Sequence, residues 1–246
     1  MKIGITGGEG FIGGHLRRFL AKQGHEISFS DKNKIDLVKP NEAALKRFVS
    51  GKDFIIHAAG VNRGSDKDII AGNVVATYNI LAAMEKFHSP ARIIFISSIH
   101  AASGDHLVFG QSKKLAEIML RDYFLKNKKS VLALRLPNIF GENSRPFYNS
   151  AVATFCYQAA NNNILTVDLA SRRKKIPLLY VENLAKNISQ EIVKMPKSSF
   201  SLKTVKPEKE ITVGVLANLI SDFSKGRKSR NSFERNLFKT FISFKN

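Results

Sequence analysis

One short stretch, TGGEGFIGGHL, limits what this chain can fold into more than any other part of it. It follows the apolar run KIGIT and carries Gly7, Gly10 and Gly13 in the spacing GxxGxxG at the start of an amphipathic segment. In a strand–turn–helix unit the first glycine makes the tight turn, the second lets backbone amides approach a pyrophosphate, and the third lets the helix pack closely. Unpaired N–H groups at the helix N-terminus attract the anion. The stretch therefore predicts a dinucleotide-binding loop.

The first 140 residues alternate short apolar runs with longer amphipathic segments. Strands are predicted at 2–6, 26–30, 54–59, 92–97 and 131–136, and helices at 11–22, 42–49, 67–87 and 110–127. Strands that alternate with helices form βαβ units, and nearly continuous apolar strands are typical of a sheet covered on both faces. The pattern predicts an α/β fold with a Rossmann-type, doubly wound parallel sheet.

The alternation of apolar and amphipathic segments ends near residue 143, where GENSRPFYNS has the composition of a loop. Beyond it the patterns predict helices near 150–161, 212–223 and 233–244 and a strand near 164–168. Thr212 is expected to cap the second of these helices. We therefore predict an NAD(P)-binding domain over 1–142 and a smaller, partly interleaved substrate-binding region over 143–246.

An acidic residue closes the second predicted strand. Asp31 lies about twenty residues after the glycine loop, where a carboxylate accepts hydrogen bonds from the adenosine ribose, and this favours NAD. Lys32 and Lys34 stand beside it and would instead suit the 2′-phosphate of NADP. An ordinary aspartate in a turn is the third interpretation.

The net charge is unusual. The chain has 39 lysines and arginines against 20 acidic residues, a formal charge of +19. Such a charge suits nucleic acid, an anionic membrane surface or an anionic small substrate. The basic residues are scattered, and their one dense cluster, KGRKSR, carries no nucleic-acid-binding signature. We favour a solvated basic surface and expect no nucleic-acid partner, whereas attraction of an anionic small substrate and loose membrane association stay open.

Cysteine content and hydropathy bear on the compartment. The single cysteine, Cys156, excludes an internal disulfide and suits a reducing compartment. No apolar run approaches the ~20 residues of a membrane span, and the N-terminus enters a predicted strand directly. We therefore expect a cytoplasmic protein with no integral membrane segment, no signal peptide and no metal site.

Several motifs together resemble the extended short-chain dehydrogenase/reductase family, which includes the NAD-dependent epimerases and dehydratases. They are TGGEGFIG, HAAG, GNVVATYNIL, ISS, the lysine of FGQSK, and RLPNIFGE. The resemblance implies a nicotinamide cofactor (NAD or NADP), a nucleotide-sugar substrate and a homodimer, with the predicted helices 67–87 and 110–127 as the dimer faces.

Within the family, RLPNIFGENSRPFYNSAVATFCYQAANN and NLFKTFISF look like the reductase half of a capsular polysaccharide enzyme. This likeness implies NAD(P)H-dependent reduction of a UDP-4-keto-6-deoxy-HexNAc in the synthesis of a surface polysaccharide precursor. It also implies a cupin epimerase, which is either a downstream domain absent from this chain or a separate protein. A nucleotide-sugar epimerase is the alternative activity.

By the same resemblance, a serine, a tyrosine and a lysine form the catalytic site. Ser98 matches the family serine, with Ser97 as the off-by-one alternative, and Lys113 matches the family lysine, which holds the nicotinamide ribose. At the tyrosine position stands Phe109, one helical turn before Lys113 and on the same helix face.

Phenylalanine has no proton to give, and removal of a general acid typically costs ~10²–10⁴ in rate. Phe109 is therefore an introduced substitution, a natural change with weakened or altered chemistry, or the mark of a non-catalytic binding protein. In the second case another group supplies the proton, and the candidates are His106, Asp105 and His100. Each of these three is otherwise an ordinary loop or surface residue.

The resemblance also assigns binding roles. The residues expected to contact the dinucleotide are Gly7, Gly10, Phe11, Ile12, Gly13, Asp31, Asp36, Leu37, Ala58, Ala59, Gly60 and Lys113. On the substrate side, Asn138 is expected to position substrate or nicotinamide, and Asn149 to contact the nucleotide sugar. Arg172 or Arg173 would clamp a diphosphate with its planar guanidinium. For each of these four the alternative is a solvated or structural role.

Overall fold

The fold is that of a computed structural model, which describes residues 1–30, 35–103 and 107–245. The strands are β1 Lys2–Thr6, β2 Glu26–Ser30, β3 Phe54–His57, β4 Arg92–Ser98, β5 Val131–Leu136, β6 Asn138–Phe140, β7 Lys175–Tyr180, β8 Phe200–Thr204 and β9 Lys209–Thr212. The α-helices are α1 Phe11–Lys22, α2 Glu42–Val49, α3 Asp66–Ile70, α4 Ala76–Lys86, α5 Val108–Asn127, α6 Ala151–Ala160, α7 Val181–Lys194, α8 Val213–Ser224 and α9 Ser232–Ile242. No helix in this part of the chain is long and apolar enough to cross a membrane.

The chain forms two compact units. The first comprises Met1–Leu136 and Ala185–Val205, and the second comprises Pro137–Leu184 and Lys206–Asn246. The sequence analysis places the division at residue 142, with a partly interleaved second region. In the structure the first unit also includes the later segment Ala185–Val205, because β8 pairs with β5 in its sheet.

The first unit contains a six-stranded sheet in the order β2-β1-β3-β4-β5-β8, with every neighbouring pair parallel. Its central strands are buried on both faces because their side chains, such as Ile55 and Phe95, pack beneath helices. The strand order reverses between β1 and β3, and ligands of such sheets bind at the carboxyl ends of the strands at this reversal. The predicted doubly wound parallel sheet is confirmed.

The helix predicted at 67–87 is interrupted. Between α3 and α4 the residues Ala71–Val75 form a turn of π-helix, in which Asn73 is buried. A side chain on Gly72 would overlap Val61, so the turn lies tightly against the chain that follows β3. Single π-turns inside α-helices are frequent at functional sites.

The second unit contains a three-stranded sheet in the order β6-β7-β9, in which β6 and β7 are parallel and β7 and β9 antiparallel. Thr212 caps α8 as predicted, since its side chain accepts a hydrogen bond from the Val215 N–H. The strand predicted at 164–168 is wrong: these residues lie in a loop, where Ile164 is 91% exposed. An apolar alternation makes a strand only where a neighbouring strand pairs with it.

Candidate functional site

The glycines after β1 sit where side chains would not fit. Gly7 has φ +66°, and a Cβ there would lie 2.9 Å from the Ala59 Cα. A Cβ on Gly13 would overlap the carbonyl oxygen of Gly7, which also accepts a hydrogen bond from the Gly10 N–H at 2.9 Å. The turn and the close approach of α1 to it therefore require glycine at both positions.

The start of α1 suits an anion. The helix begins at Phe11 after Gly10, which supplies no side-chain cap, and the first turn contains no acidic residue. Apart from its chain neighbours, the one described atom within 4 Å of a Cβ built on Gly10 is the Gly7 carbonyl oxygen, at 3.2 Å. Backbone N–H groups without a side-chain cap are the kind of group that binds a phosphate, and Phe11 and Ile12, which are expected to contact the dinucleotide, lie at this helix start.

Two residues expected to contact the dinucleotide, Asp36 and Leu37, are held by hydrogen bonds within their loop and from α4. The Asp36 Oδ1 accepts hydrogen bonds from the backbone N–H groups of Val38 (2.8 Å) and Lys39 (3.4 Å). Leu37 is buried, and its carbonyl oxygen accepts a hydrogen bond from the Asn79 side chain at 2.8 Å. Asp31, on which the preference for NAD depends, lies outside the described residues, as do Lys32 and Lys34.

A chain of hydrogen bonds runs beneath the glycine loop. The Ala59 N–H donates to the Thr6 Oγ1 at 3.0 Å, and Thr6 lies 2.7 Å from the His57 Nδ1. The His57 Nε2 lies 3.0 Å from the Thr77 Oγ1, which donates to the Asn73 carbonyl oxygen at 2.6 Å. Thr77 uses its only hydroxyl hydrogen on that carbonyl, so it accepts from His57. The Nε2 of His57 therefore carries the hydrogen, and its Nδ1 accepts from Thr6.

Burial keeps the His57 ring neutral. Burial, with a smaller contribution from the nearby charge of Lys113, lowers the pKa of His57 to about 3. A protonated ring would donate from both nitrogens, and the Thr6 hydroxyl, which already accepts from Ala59, would have to reverse its own hydrogen. The network therefore fits the neutral ring.

Asn73 extends this network to helix α5. Its Nδ2 donates to the Val61 carbonyl oxygen (2.7 Å) and the Ser112 Oγ (3.0 Å), and its Oδ1 accepts from the Val61 N–H at 3.0 Å. Ser112 in turn donates to the Phe109 carbonyl oxygen at 2.8 Å. A Cβ on Gly60 would lie 2.8 Å from the Asn73 Oδ1. Asn73 thus holds the segment after β3 against the first turns of α5.

Lys113 is buried beside the end of β4. Lys113 is only 6% exposed. Its Nζ donates to the Ile96 carbonyl oxygen at 3.1 Å and lies 4.9 Å from the centre of the Phe95 ring. A Cβ on Gly60 would lie 2.9 Å from this Nζ. Burial lowers the pKa of Lys113 to about 8, although Glu117 opposes the shift.

The two serines at the end of β4 have different surroundings. Ser97 is buried and donates to Glu117 at 2.6 Å, and Glu117 also accepts both hydrogen bonds of a bidentate pair with Arg135. Ser98 is only partly buried, and its Oγ accepts from the His100 N–H at 3.2 Å. The Ser97 hydroxyl is thus committed to a structural cluster, and the geometry favours Ser98 as the serine that meets a substrate.

Phe109 lies in the first turn of α5, partly buried, with its ring centre 6.3 Å from that of His100 in an edge-on arrangement. It shares a face of α5 with Lys113, as predicted from the spacing. The alternative proton donors Asp105 and His106 lie outside the described residues, whereas His100 lies in the 3₁₀ turn that follows β4.

The predicted substrate residues all lie in the second unit. The Asn138 side chain donates to the Pro177 carbonyl oxygen at 3.2 Å, and Asn149 is exposed just before α6. Arg172 and Arg173 are exposed as well, and the Arg172 carbonyl oxygen accepts from the Gly214 N–H at 2.9 Å. These residues therefore lie in different segments of this unit.

Sequence reasoning missed the roles of Thr6, His57, Asn73 and Glu117. His57 and Asn73 stand within the motifs HAAG and GNVVATYNIL, so the signal was present, but their partners lie 51 and 39 residues away in the chain. Only the fold brings these groups together.

Comparison with known proteins decides the family. The sequence profile of the NAD dependent epimerase/dehydratase family matches residues 3–197. The chain belongs to this family. Its glycine loop, Ser98 and Lys113 all lie within the matched part of this epimerase/dehydratase protein.

The similar proteins include a capsular polysaccharide protein, as the sequence motifs predict. The chain is 30% identical, over 99% of its length, to a Pseudomonas aeruginosa protein named UDP-2-acetamido-2,6-beta-L-arabino-hexul-4-ose reductase. The crystal structure of the capsular polysaccharide assembling protein CapF from Staphylococcus aureus matches all of the chain with a TM-score of 0.83 and 30% identity. The chain spans 65% of the length of each of these relatives.

A more distant likeness supports the fold alone. The UDP-glucose 4-epimerase of Thermotoga maritima matches 99% of this epimerase/dehydratase chain and 98% of its own, with a TM-score of 0.85 and 17% identity. The Rossmann-type architecture is therefore shared with that structure over nearly its whole length.

Two adjacent glycines of α1 give a matched test of the loop. A Cβ on Gly13 overlaps the Gly7 carbonyl, whereas one on Gly14 comes no closer than 3.6 Å to its nearest neighbour, Arg18. Overpacking costs about 1–3 kcal/mol, so we expect Gly13→Ala to weaken NADH binding by roughly tenfold or more. Gly14→Ala should bind normally. Fluorescence titration with NADH measures both, and equal affinities for the two variants would contradict the packing argument.

The neutral His57 predicts a specific acid sensitivity. Its pKa of about 3 lies below the ordinary 6.5, so the unfolded chain takes up a proton that the folded chain does not. The stability contributed by the neutral ring is complete above pH 6.5 and is lost as pH falls towards 3. In that window one such proton adds a slope of up to about 1.4 kcal/mol per pH unit to the free energy of unfolding.

We expect His57→Asn to remove this part of the slope, whatever its effect on stability at neutral pH. Denaturant unfolding at a series of pH values measures the slope. The exposed His88, changed to asparagine, is the control and should leave the slope as it is. An unchanged slope in His57→Asn would show that the ring takes up a proton in the folded state.

Proposed function

We propose that this chain catalyses the NAD(P)H-dependent reduction of the 4-keto group of a UDP-4-keto-6-deoxy-HexNAc, in the synthesis of a surface polysaccharide precursor. The observation that carries the proposal is the arrangement of buried Lys113, partly buried Ser98 and the glycine loop around the carboxyl ends of β1, β3 and β4. The substrate class is taken from the name of the Pseudomonas aeruginosa relative.

The residues of the first unit have separate roles in this proposal. The glycine loop and the start of α1 hold the pyrophosphate, and Lys113 holds the nicotinamide ribose. Ser98 donates a hydrogen bond to the oxygen that gains charge as the carbonyl is reduced. The nicotinamide supplies the hydride when bound. The lowered pKa of Lys113 follows from the burial that this position requires.

The residues of the second unit would bind the rest of the substrate. Asn138 would position the sugar or the nicotinamide, Asn149 would contact the nucleotide sugar, and the exposed guanidinium of Arg172 would pair with the diphosphate. The exposure of Asn149 and Arg172 leaves both side chains accessible to a ligand.

The proposals for the cofactor, the compartment and the epimerase partner rest on separate observations. We propose NAD rather than NADP on the basis of Asp31, a cytoplasmic location in keeping with the single buried Cys156, and a cupin epimerase that acts with this chain. A UDP-glucose 4-epimerase in complex with NAD, from Thermus thermophilus, is among the similar structures, and epimerisation is the alternative reaction.

Phe109 supports a second candidate function. Without the tyrosine hydroxyl, a protein with this site would bind a dinucleotide and a nucleotide sugar but lack the family acid. A non-catalytic binding protein is therefore the alternative, and it predicts affinity without turnover.

The experiment that tests the function compares the native chain with Phe109→Tyr, Phe109→Leu and Lys113→Ala. NAD(P)H oxidation is followed with a UDP-4-keto-6-deoxy-HexNAc, and the product is identified by mass spectrometry. Because a general acid is worth ~10²–10⁴ in rate, we expect the tyrosine variant to gain about a hundredfold or more over the native chain. Phe109→Leu should gain nothing, and Lys113→Ala should lose both NADH affinity and turnover.

Binding of NADH without turnover in both the native chain and Phe109→Tyr would support the non-catalytic alternative. Turnover of a UDP-HexNAc without net NADH oxidation would support the epimerase.

We further propose a homodimer through α3–α4 and α5. Large apolar side chains are exposed on these helices, among them Tyr78 (61%) on α4 and Ile118 (57%) on α5. Leu115, Ile118 and Leu125 share one face of α5, because their spacing of three and seven residues is helical. An exposed apolar stripe of this kind is typical of a protein–protein contact.

Ile118→Glu and Tyr78→Glu should convert a dimer into a monomer of 27.4 kDa, because each places a charge in the apolar contact. Size-exclusion chromatography with light scattering measures the mass. Val193→Glu, at an apolar position of α7 that is 79% exposed, is the control and should leave the dimer intact. A native chain of monomer mass would refute the homodimer.

A further inference from the structure

We propose that His100 supplies, in this chain, the proton that the family tyrosine supplies elsewhere. The inference rests on the proposed reductase function and concerns how turnover proceeds with Phe109 in place. It depends on where the fold puts the imidazole relative to Ser98 and Phe109.

The backbone of His100 is fixed next to Ser98. It lies in the 3₁₀ turn Ile99–Ala101, which follows β4 directly, and its N–H donates to the Ser98 Oγ at 3.2 Å. Ser98, the serine proposed to meet the substrate, and the backbone of His100 therefore belong to one short, hydrogen-bonded turn.

Helix α5 closes tightly on this turn. A Cβ built on Gly110 would lie 2.6 Å from the His100 carbonyl oxygen and 3.5 Å from the His100 Cβ. Glycine at 110 thus lets the first turn of α5 approach the histidine, and Phe109 stands at that contact. The two rings meet edge-on, with centres 6.3 Å apart and planes at 65°. The imidazole borders the ring that would carry the hydroxyl if residue 109 were tyrosine.

The other titratable side chains described at this end of β4 are already committed. Both nitrogens of His57 are bonded to threonine hydroxyls, and the ring is neutral. Glu117 accepts from Ser97 and Arg135. Lys113 donates to the Ile96 carbonyl at the position that holds the ribose. Among these, His100 is the side chain that borders Phe109, and histidine is the side chain that most often transfers a proton in enzymes.

The step balances without a further reactant. As the carbonyl carbon gains a hydride with its electron pair, the π electrons of the C=O bond pass to oxygen. The imidazolium N–H bond of His100 breaks, its proton forms the new O–H bond, and the ring is left neutral. NADH becomes NAD⁺, and His100 regains its proton from water before the next cycle.

A double-mutant experiment separates this role from a structural one. The chains compared are native, His100→Gln, Phe109→Tyr and His100→Gln with Phe109→Tyr, with His88→Asn as a control at an exposed histidine. We expect His100→Gln to lower the kcat of the native chain by about a hundredfold, in line with the loss of a general acid. The double variant should keep most of the turnover of Phe109→Tyr, because the tyrosine then supplies the proton. NADH affinity should be the same in all five chains.

A second readout does not depend on turnover. The NMR signal of the His100 imidazole Cε1–H is assigned by its loss in His100→Gln. It should shift when NAD⁺ and the UDP-linked sugar alcohol are added together, because the ring then contacts the new hydroxyl. The corresponding signal of His88 should stay in place.

Two results would overturn the inference while leaving the proposed function intact: a kcat of His100→Gln within about twofold of native, and an inactive double variant that still binds NADH. A native chain without turnover beside an active Phe109→Tyr would overturn both the inference and the proposed activity of the native chain. An unshifted His100 signal in the ternary complex would overturn the inference as well. Inactivity of both the native chain and Phe109→Tyr would instead refute the proposed reductase, and the inference with it.

Discussion

The line of hydrogen bonds from Ala59 through Thr6, His57 and Thr77 to Asn73 joins the parts of the first unit that surround its candidate site. Each polar hydrogen in this line has one acceptor. The neutral form of His57, with its hydrogen on Nε2, therefore determines which group donates and which accepts in each hydrogen bond. Inside a protein an unmade hydrogen bond of this kind costs about 1–3 kcal/mol. The ends of β1 and β3, the π-turn and, through Ser112, helix α5 are therefore fixed together.

This shared support explains how an unfavourable group is held in place. Lys113 is a buried cation whose nearest acidic neighbour along the helix, Glu117, is paired with Arg135. The pKa of Lys113 is lowered because the effect of burial on the charged form is larger than the stabilisation of that form by Glu117. Perturbed groups of this kind concentrate where proteins bind or transform ligands. The surrounding network, with Gly60 packed against both Asn73 and the lysine, keeps the ammonium group from turning out to solvent.

The features predicted from sequence are those that local rules determine. The alternation of strands and helices gave the sheet, the glycine spacing gave the loop, and the cap at Thr212 was visible in one residue. The π-turn was missed because helical periodicity continues from 67 to 87, while its causes, Gly72 against Val61 and Asn73 against α5, are contacts between distant residues. The predicted strand at 164–168 was wrong for the opposite reason. Its local alternation of apolar residues suits a strand, but no described strand pairs with it. Sequence also left Ser97 and Ser98 as alternatives, which only the Glu117 contact distinguishes.

The late strand β8 has a consequence for the order in which the protein is made. It pairs along β5 although the whole segment Pro137–Leu184 separates them in the chain. At ~5–20 residues per second, a ribosome needs on the order of 3–14 s to pass from the end of β5 to Val205. Throughout that interval the outer edge of β5 has no neighbouring strand, and an unpaired, apolar edge is a template for association with other chains. The nascent protein is thus most vulnerable to aggregation after its nucleotide-binding loop has formed and before its sheet is complete.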